Sequence, residues 1–367
     1  MTYKGTTSVR RRDSRVAAAF AASPPQPELL YSVRNHMSSL AGIRMIGLVS
    51  LLTSVSFAAD GPPAWAYGFP QPGAPAALAG GGGRGAQAAP DTSPKRLAGS
   101  NLEFTLQQIR DGFGPADWFP GDHPTMPEIV AHGRRPEVRA CALCHLPNGK
   151  GRAENAPIAG YPVAYFIQQM NDFKNGNRKS AEPRKANTNA MIAIAKAMTV
   201  EEIKASAEYF CSMPWTQWIR VVETNMVPKT RIAGGLFLAL EGNEKEPIGK
   251  RILEVPESTE ASETYRDPRS GFIAYAPPGS VKKGESLVTS GAGKTLACGT
   301  CHGADLKGLG PVPGIAGRSP SYLVRQMCDM QAGARKGEWT PLMTKVVSQL
   351  NEDDMLAIAA YTASLKP

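Results

Sequence analysis

Apolar positions are spread unevenly along this chain of 367 residues, and the unevenness divides it. The first concentrated run, residues 45–57, is shorter than the roughly 20 residues a transmembrane helix requires. With Arg44 ahead of it and small residues at Ser56 and Ala58, it reads as a secretory signal cleaved near Ala58, which predicts a soluble exported protein. Residues 1–36 are polar and arginine-rich, unlike a signal, so translation is expected to start at Met37. From 61 to 100 the chain is dominated by Ala, Gly and Pro, a composition that buries too little apolar surface to offset chain entropy and predicts a flexible tether. Residues 102–126 predict a short helix followed by an aromatic loop packed on the next domain. Further on, Thr199 with Glu202 and Asn351 with Asp354 carry the spacing of helix-start capping boxes. Between 214 and 280, runs such as "WIRVVET", "KRILEVPE" and "GFIAYAP", rich in branched and aromatic residues and separated by Gly, Pro and Asn, predict a β-rich insertion.

The helical parts repeat. "GYPVAYFIQQMNDFKNGNR" matches "GRSPSYLVRQMCDMQAGAR" at an offset of 157, pairing Tyr165 with Tyr322, Met170 with Met327 and Arg178 with Arg335. Beyond these segments the offset falls to 152, which pairs Met191 with Met343 and Tyr209 with Tyr361. Two copies of one module are implied.

Each copy opens on the same chemistry: "CALCH" at Cys141, Cys144 and His145, and "CGTCH" at Cys298, Cys301 and His302. Such a motif serves as a thiol redox pair, half a zinc site or a haem attachment point. Zinc would require the two cysteine pairs to converge, whereas they fall in separate copies, each with its own His and Met. Haem attachment uses both cysteines and the histidine of the five-residue motif: two thioethers to the vinyl groups and a proximal histidine under the iron. A thioether sixth ligand favours ferrous iron, and Met191 and Met343, about 40 to 50 residues past their motifs, are the candidates. Met170, Met198, Met213 and Met327 are expected in the core. His123 and His132 are alternative ligands at the first haem, with a loop position as the simpler reading. Cys211 and Cys328 occupy non-equivalent repeat positions, so a disulfide between them would cross between domains; unpaired thiols are expected. Arg178 and Arg335 would suit haem propionates or solvent.

Charge narrows the partners. The formal charge is +9, but the first 58 residues hold seven Lys/Arg against two Asp/Glu, leaving 34 against 30 and a net +4 in the rest. That excess argues against nucleic-acid binding.

The tandem resembles the class I cytochromes c, and in particular the periplasmic two-haem, two-domain cytochromes of the c-four group, over residues 124–213 and 281–367. The family's P-x-L-A-G loop, whose backbone carbonyl orients the proximal histidine, is matched by "PGIAG" at 313–317. The first copy has "APIAG", with Ala156 at the proline position and Pro157 one residue later, which predicts a different loop geometry there. The family's ending is similar to residues 191–203, with Ile194, Ala195, Met198 and Thr199 in register, and the second copy keeps Met343, Leu350 and Asp353. The β-rich insertion and the N-terminal extension depart from the pattern.

The resulting expectation is a mainly α protein. It comprises a disordered N-terminal extension with the signal (1–58), an Ala/Gly/Pro-rich linker (59–100), a first cytochrome c domain (101–213), a β-rich inter-domain insertion (214–280) and a second cytochrome c domain (281–367). It would bind two haem c groups through Cys141, Cys144, Cys298 and Cys301, with His145, Met191, His302 and Met343 as axial iron ligands. It would carry single electrons in the periplasm between redox proteins, such as a dehydrogenase and a terminal oxidase, peripheral membrane association being compatible with this, and would have no catalytic residues of its own. Two alternatives stand beside that reading: an enzyme of the dihaem cytochrome c peroxidase type, and the cytochrome subunit of a periplasmic dehydrogenase.

Overall fold

The computed structural model describes residues 61–70 and 91–367. The signal-like run, the start at Met37 and the Arg-rich leader lie outside the described residues.

The C-terminal helix, Glu352–Ser364, begins where the sequence places it. Asn351 accepts from the Asp354 amide at 2.9 Å while the Asp354 carboxylate accepts from the Asn351 amide at 3.3 Å, and three acidic residues in the first turn complement the helix dipole. Asp354 is fully buried and offset by Lys283 and Lys294 at 2.9 and 2.7 Å. This helix crosses Ser280–Ser290 at Gly284, where a Cβ would strike the Ala357 carbonyl, so only glycine permits the approach. The earlier half repeats the device with Thr199 and Glu202 capping Val200–Ser212. Its crossing partner, Glu128–Ala131, is a single turn. Pro127 limits it at the start, and Gly133, in the left-handed region where a Cβ would meet the Val138 carbonyl, limits it at the end. Helices Val163–Lys174 and Pro320–Gln331 occupy equivalent places, followed by Ala186–Ala197 and Thr340–Val347, which carry Met191 and Met343. Met170, Met198, Met213 and Met327 are buried.

Strands occupy the segment between the two helical halves. Phe272–Ala276 lies between Ile219–Glu223, parallel to it in the register Ile219 to Phe272, and Leu253–Pro256, antiparallel with Leu253 opposite Tyr275. Thr230–Ala233 and Leu236–Ala239 form a hairpin over Gly234-Gly235, both at positive φ, as a two-residue primed turn demands. Trp218, Phe272 and Ala274 belong to the same core cluster as Leu287, Val288 and Met355. The boundary expected at residue 280 therefore cuts through one continuous core: the sheet is packed into the second helical half.

The expected tether is corrected at two places. Ala64–Tyr67 is a helical turn with Trp65 and Tyr67 only 2% and 1% exposed. The Trp65 indole donates to Glu352 at 3.0 Å, the Tyr67 hydroxyl to Asp329 at 2.8 Å, and Arg325 to the Ala66 carbonyl at 2.7 Å. Average composition missed this because two aromatic anchors suffice when their pocket is supplied elsewhere. Lys95–Arg96 also pairs antiparallel with Glu103–Phe104.

The two halves meet across a near-symmetric seam. The Lys179 amide donates to the Ala334 carbonyl at 2.8 Å and the Lys336 amide to the Asn177 carbonyl at 2.7 Å. Arg178 and Arg335, buried between them, do not reach solvent: each binds a tyrosine and two glutamine oxygens. Buried Arg318 stacks on Tyr161 and Trp215, with 4.0 and 4.1 Å to the ring centres.

Candidate functional site

Each C-x-x-C-H sequence forms a helical turn, Cys141–His145 and, with Cys298 as its cap, Gly299–His302. The turn puts both cysteines and the histidine within one short surface, the histidine last. Both imidazoles are then fixed by the same contact: His145 Nδ1 lies 3.0 Å from the Ala156 carbonyl and His302 Nδ1 2.7 Å from the Pro313 carbonyl. The displaced proline therefore does not alter the support of the first histidine, contrary to the loop expectation. A carbonyl eleven residues after each histidine supplies it, whether Ala or Pro owns that carbonyl. With Nδ1 as donor, Nε2 is left as the free lone pair, the tautomer a proximal ligand requires.

Electrostatics agree. Burial lowers the pKa of both histidines, opposed by their carbonyl contacts, so neutral imidazole prevails at neutral pH. Burial pushes the Cys141 and Cys298 thiols up to about 11 and raises Cys144 as well. Thiols held protonated are poor redox nucleophiles. Among the described residues no three His, Cys, Asp or Glu side chains converge in a way that would hold a metal ion.

In the first half, Cys141, Cys144, His145 and Met191 line one cavity of about 340 Å³, with Phe166 and Met170 among its apolar walls. The structure thus brings together the four residues that the sequence separates by up to 50 positions. In the second half His302 is buried, Cys298 is partly buried and Cys301 is exposed, while Cys298 and Met343 pack at the margin of the same core cluster. The donor set, a mostly apolar cavity and a neutral imidazole with its lone pair free fit a covalently attached haem.

The other histidine candidates are occupied elsewhere. His123 sits against Asp117 at 3.1 Å and the Pro124 carbonyl at 2.9 Å; burial opposes its protonation, but these bonds raise its pKa overall. His132 caps Glu128–Ala131. Cys328 lies 3.5 Å from the Met355 sulfur, and Cys211 is partly buried. Sequence reasoning missed Lys185, Glu154 and Arg325, which also line the first cavity. Lys185 is 3% exposed and donates to the Tyr67 carbonyl at 3.1 Å, and burial lowers its pKa to about 7. No local motif marks these residues.

Two helical halves, each with a helix-borne C-x-x-C-H and a carbonyl-steadied histidine, define a c-type cytochrome. No family model matches the chain. A cytochrome c4 of Azotobacter vinelandii is 35% identical over 234 residues, spanning 62% of this chain and 86% of that protein. The thiosulfate dehydrogenase electron acceptor of Stutzerimonas stutzeri strain A1501 is 25% identical over 236 residues, 64% of this chain and 82% of that protein. Among solved structures, reduced recombinant cytochrome c4 from Pseudomonas stutzeri has a TM-score of 0.41 at 21% identity, over 61% of this chain and 93% of that one. The chain belongs to the cytochrome c4 family, and its cofactors are two haem c groups.

Proposed function

We propose that the protein is a periplasmic one-electron carrier whose first haem is held by Cys141, Cys144, His145 and Met191 and whose second is held by Cys298, Cys301, His302 and Met343. One observation carries the reading: His145 and Met191, from separate helices, face one cavity beside the cysteine pair. Bound there, haem supplies an iron that cycles between ferric and ferrous states without bond making. The chain's residues do the rest. The Ala156 and Pro313 carbonyls hold the imidazole tautomers, the helical turns present the sulfurs, and the cavity walls Phe166 and Met170 limit water. A methionine opposite each histidine would leave no open coordination position, which favours relay over peroxide turnover. Export is supported by the signal-like run ahead of Ala58.

The electron-acceptor relative favours a dehydrogenase as the partner class that delivers electrons. Met191→Ala and Met343→Ala test the ligation. Each variant is expected to lose half of the sulfur-to-iron charge-transfer absorption of the ferric protein. A variant that keeps all of it removes that methionine from the ligand set, and a native five-coordinate haem with peroxide turnover would overturn the carrier reading.

A further inference from the structure

The two attachment turns sit in different surroundings. Residues 97–123 and the turn 258–269 of the strand-rich segment close together over the first. Trp118 joins them, donating from its indole to the Tyr265 carbonyl at 2.7 Å and standing edge-on to the Tyr265 ring at 6.2 Å. Leu97, Ile109 and Phe119 are buried around it. Arg269 grips both oxygens of Asp122 at 2.7 and 2.8 Å and lies over the Phe119 ring.

This assembly is bonded to the turn itself. Arg266 donates to the Leu143 carbonyl, between the two cysteines. Asn148 donates to the Pro268 carbonyl at 2.6 Å, Arg152 to the Ser262 carbonyl at 3.1 Å, and the Ala140 amide to the Gly112 carbonyl at 2.9 Å. Ala142 and Leu143 are consequently 3% and 8% exposed. At the equivalent positions of the second copy, Gly299 is only partly buried and Thr300 is exposed, and Cys301 is exposed where Cys144 is partly buried. Exposed leucines flank that turn along the chain: Leu296 two residues before Cys298 and Leu309 seven residues after His302, at 63% and 59%.

Both cysteines of a turn bond to the ring, so whatever covers the turn covers an edge of the haem. Tunnelling falls steeply with edge-to-edge distance, so a layer of protein there removes that edge from use. We propose that the two-part cap closes the first haem to protein partners, and that the open second turn, with its leucine rim, is the port at which a one-electron redox protein docks. An apolar rim of this kind suits the small, short-lived contacts of electron transfer. The inference rests on the carrier reading above. The step balances as one electron: the donor's iron goes from ferrous to ferric, the second haem from ferric to ferrous, and the electron then passes inward to the first haem with no bond broken.

The test uses the full chain with both haems. Hydrogen exchange, which does not depend on turnover, is expected to be about tenfold or more slower in peptide 141–150 than in peptide 298–307. Trp118→Ala should speed only the former, and Arg269→Ala, at an exposed ion pair, provides a milder opening should Trp118→Ala not fold. In stopped flow with a small ferrous cytochrome as donor, the second haem should reduce at a rate proportional to donor concentration and the first at a rate independent of it. The Met191→His variant identifies the first haem by its spectrum. Opening the cap should make the first haem's rate donor-dependent, and Leu309→Glu should slow reduction of both haems. Equal exchange in the two peptides, or a donor-dependent first haem in the native chain, overturns the cap. A chain that binds fewer than two haems, or takes no electrons from dithionite, overturns the carrier reading instead.

Discussion

Removing the paired arginines of the seam tests how the halves are held. Arg178 donates to Gln169 Oε1 at 3.1 Å, Gln326 Oε1 at 2.9 Å and the Tyr322 hydroxyl at 3.2 Å. Arg335 donates to the same two glutamine oxygens at 2.7 and 3.0 Å and to the Tyr165 hydroxyl at 2.9 Å. Each forms three charge-assisted bonds of about 1.5–3 kcal/mol, while removing one relieves its own desolvation and its repulsion with the other cation. A net loss of about 3 kcal/mol per single Ala variant follows, at the upper end of ordinary substitutions. The interaction between the two sites has a definite sign. After one substitution each shared oxygen keeps a donor; after both it has none, and the repulsion is relieved only once. The double variant should therefore lose about 1–2 kcal/mol more than the sum of the singles. Urea unfolding of the haem-loaded chain, followed by far-ultraviolet dichroism, measures all four corners of the cycle. Additivity within about 0.5 kcal/mol, or a double variant better than additive, would refute a shared network.

Two further outcomes follow from buried groups. Glu254 accepts from the Ser319 hydroxyl at 2.9 Å and the Ser321 amide at 3.2 Å, and its other oxygen has no partner. Burial raises its pKa, opposed by those bonds and by Arg325. A carboxyl raised above its unfolded value of about 4.3 contributes stability that is present below that value and is lost as pH rises through the folded pKa. The melting temperature of Glu254→Gln should accordingly fall less than that of the native chain from acid to neutral pH; parallel pH profiles would sink the assignment. Trp65→Ala should cost about 3–5 kcal/mol in chemical denaturation, and a loss under about 1 kcal/mol would return residues 61–70 to the role of a tether.

The attachment chemistry was legible because it is local: five consecutive residues make the turn, and the repeat offset points to Met191 without any knowledge of the fold. The capping boxes were legible for the same reason, since Thr199 and Asn351 bind groups three residues away. What stayed hidden depends on partners distant in sequence. Arg178 and Arg335 were recognisable as equivalents, but nothing local says that they share Gln169 and Gln326. Arg266 sits at positive φ in an unremarkable turn, 123 positions from the carbonyl it meets. The capping segments departed from the family pattern, and a departure marks a place without naming what it covers.

The bond from Trp65 to Glu352 joins residues 287 positions apart. A chain delivered from its N-terminus presents Trp65 and Tyr67 long before their pocket exists, because Arg325, Asp329 and Glu352 follow 259, 262 and 287 positions behind the residues they bind. Docking of this clasp therefore records that the chain has been delivered at least as far as residue 352. A copy that stops short of residue 325 would lack all three of these partners and leave Trp65 and Tyr67 without the groups that hold them.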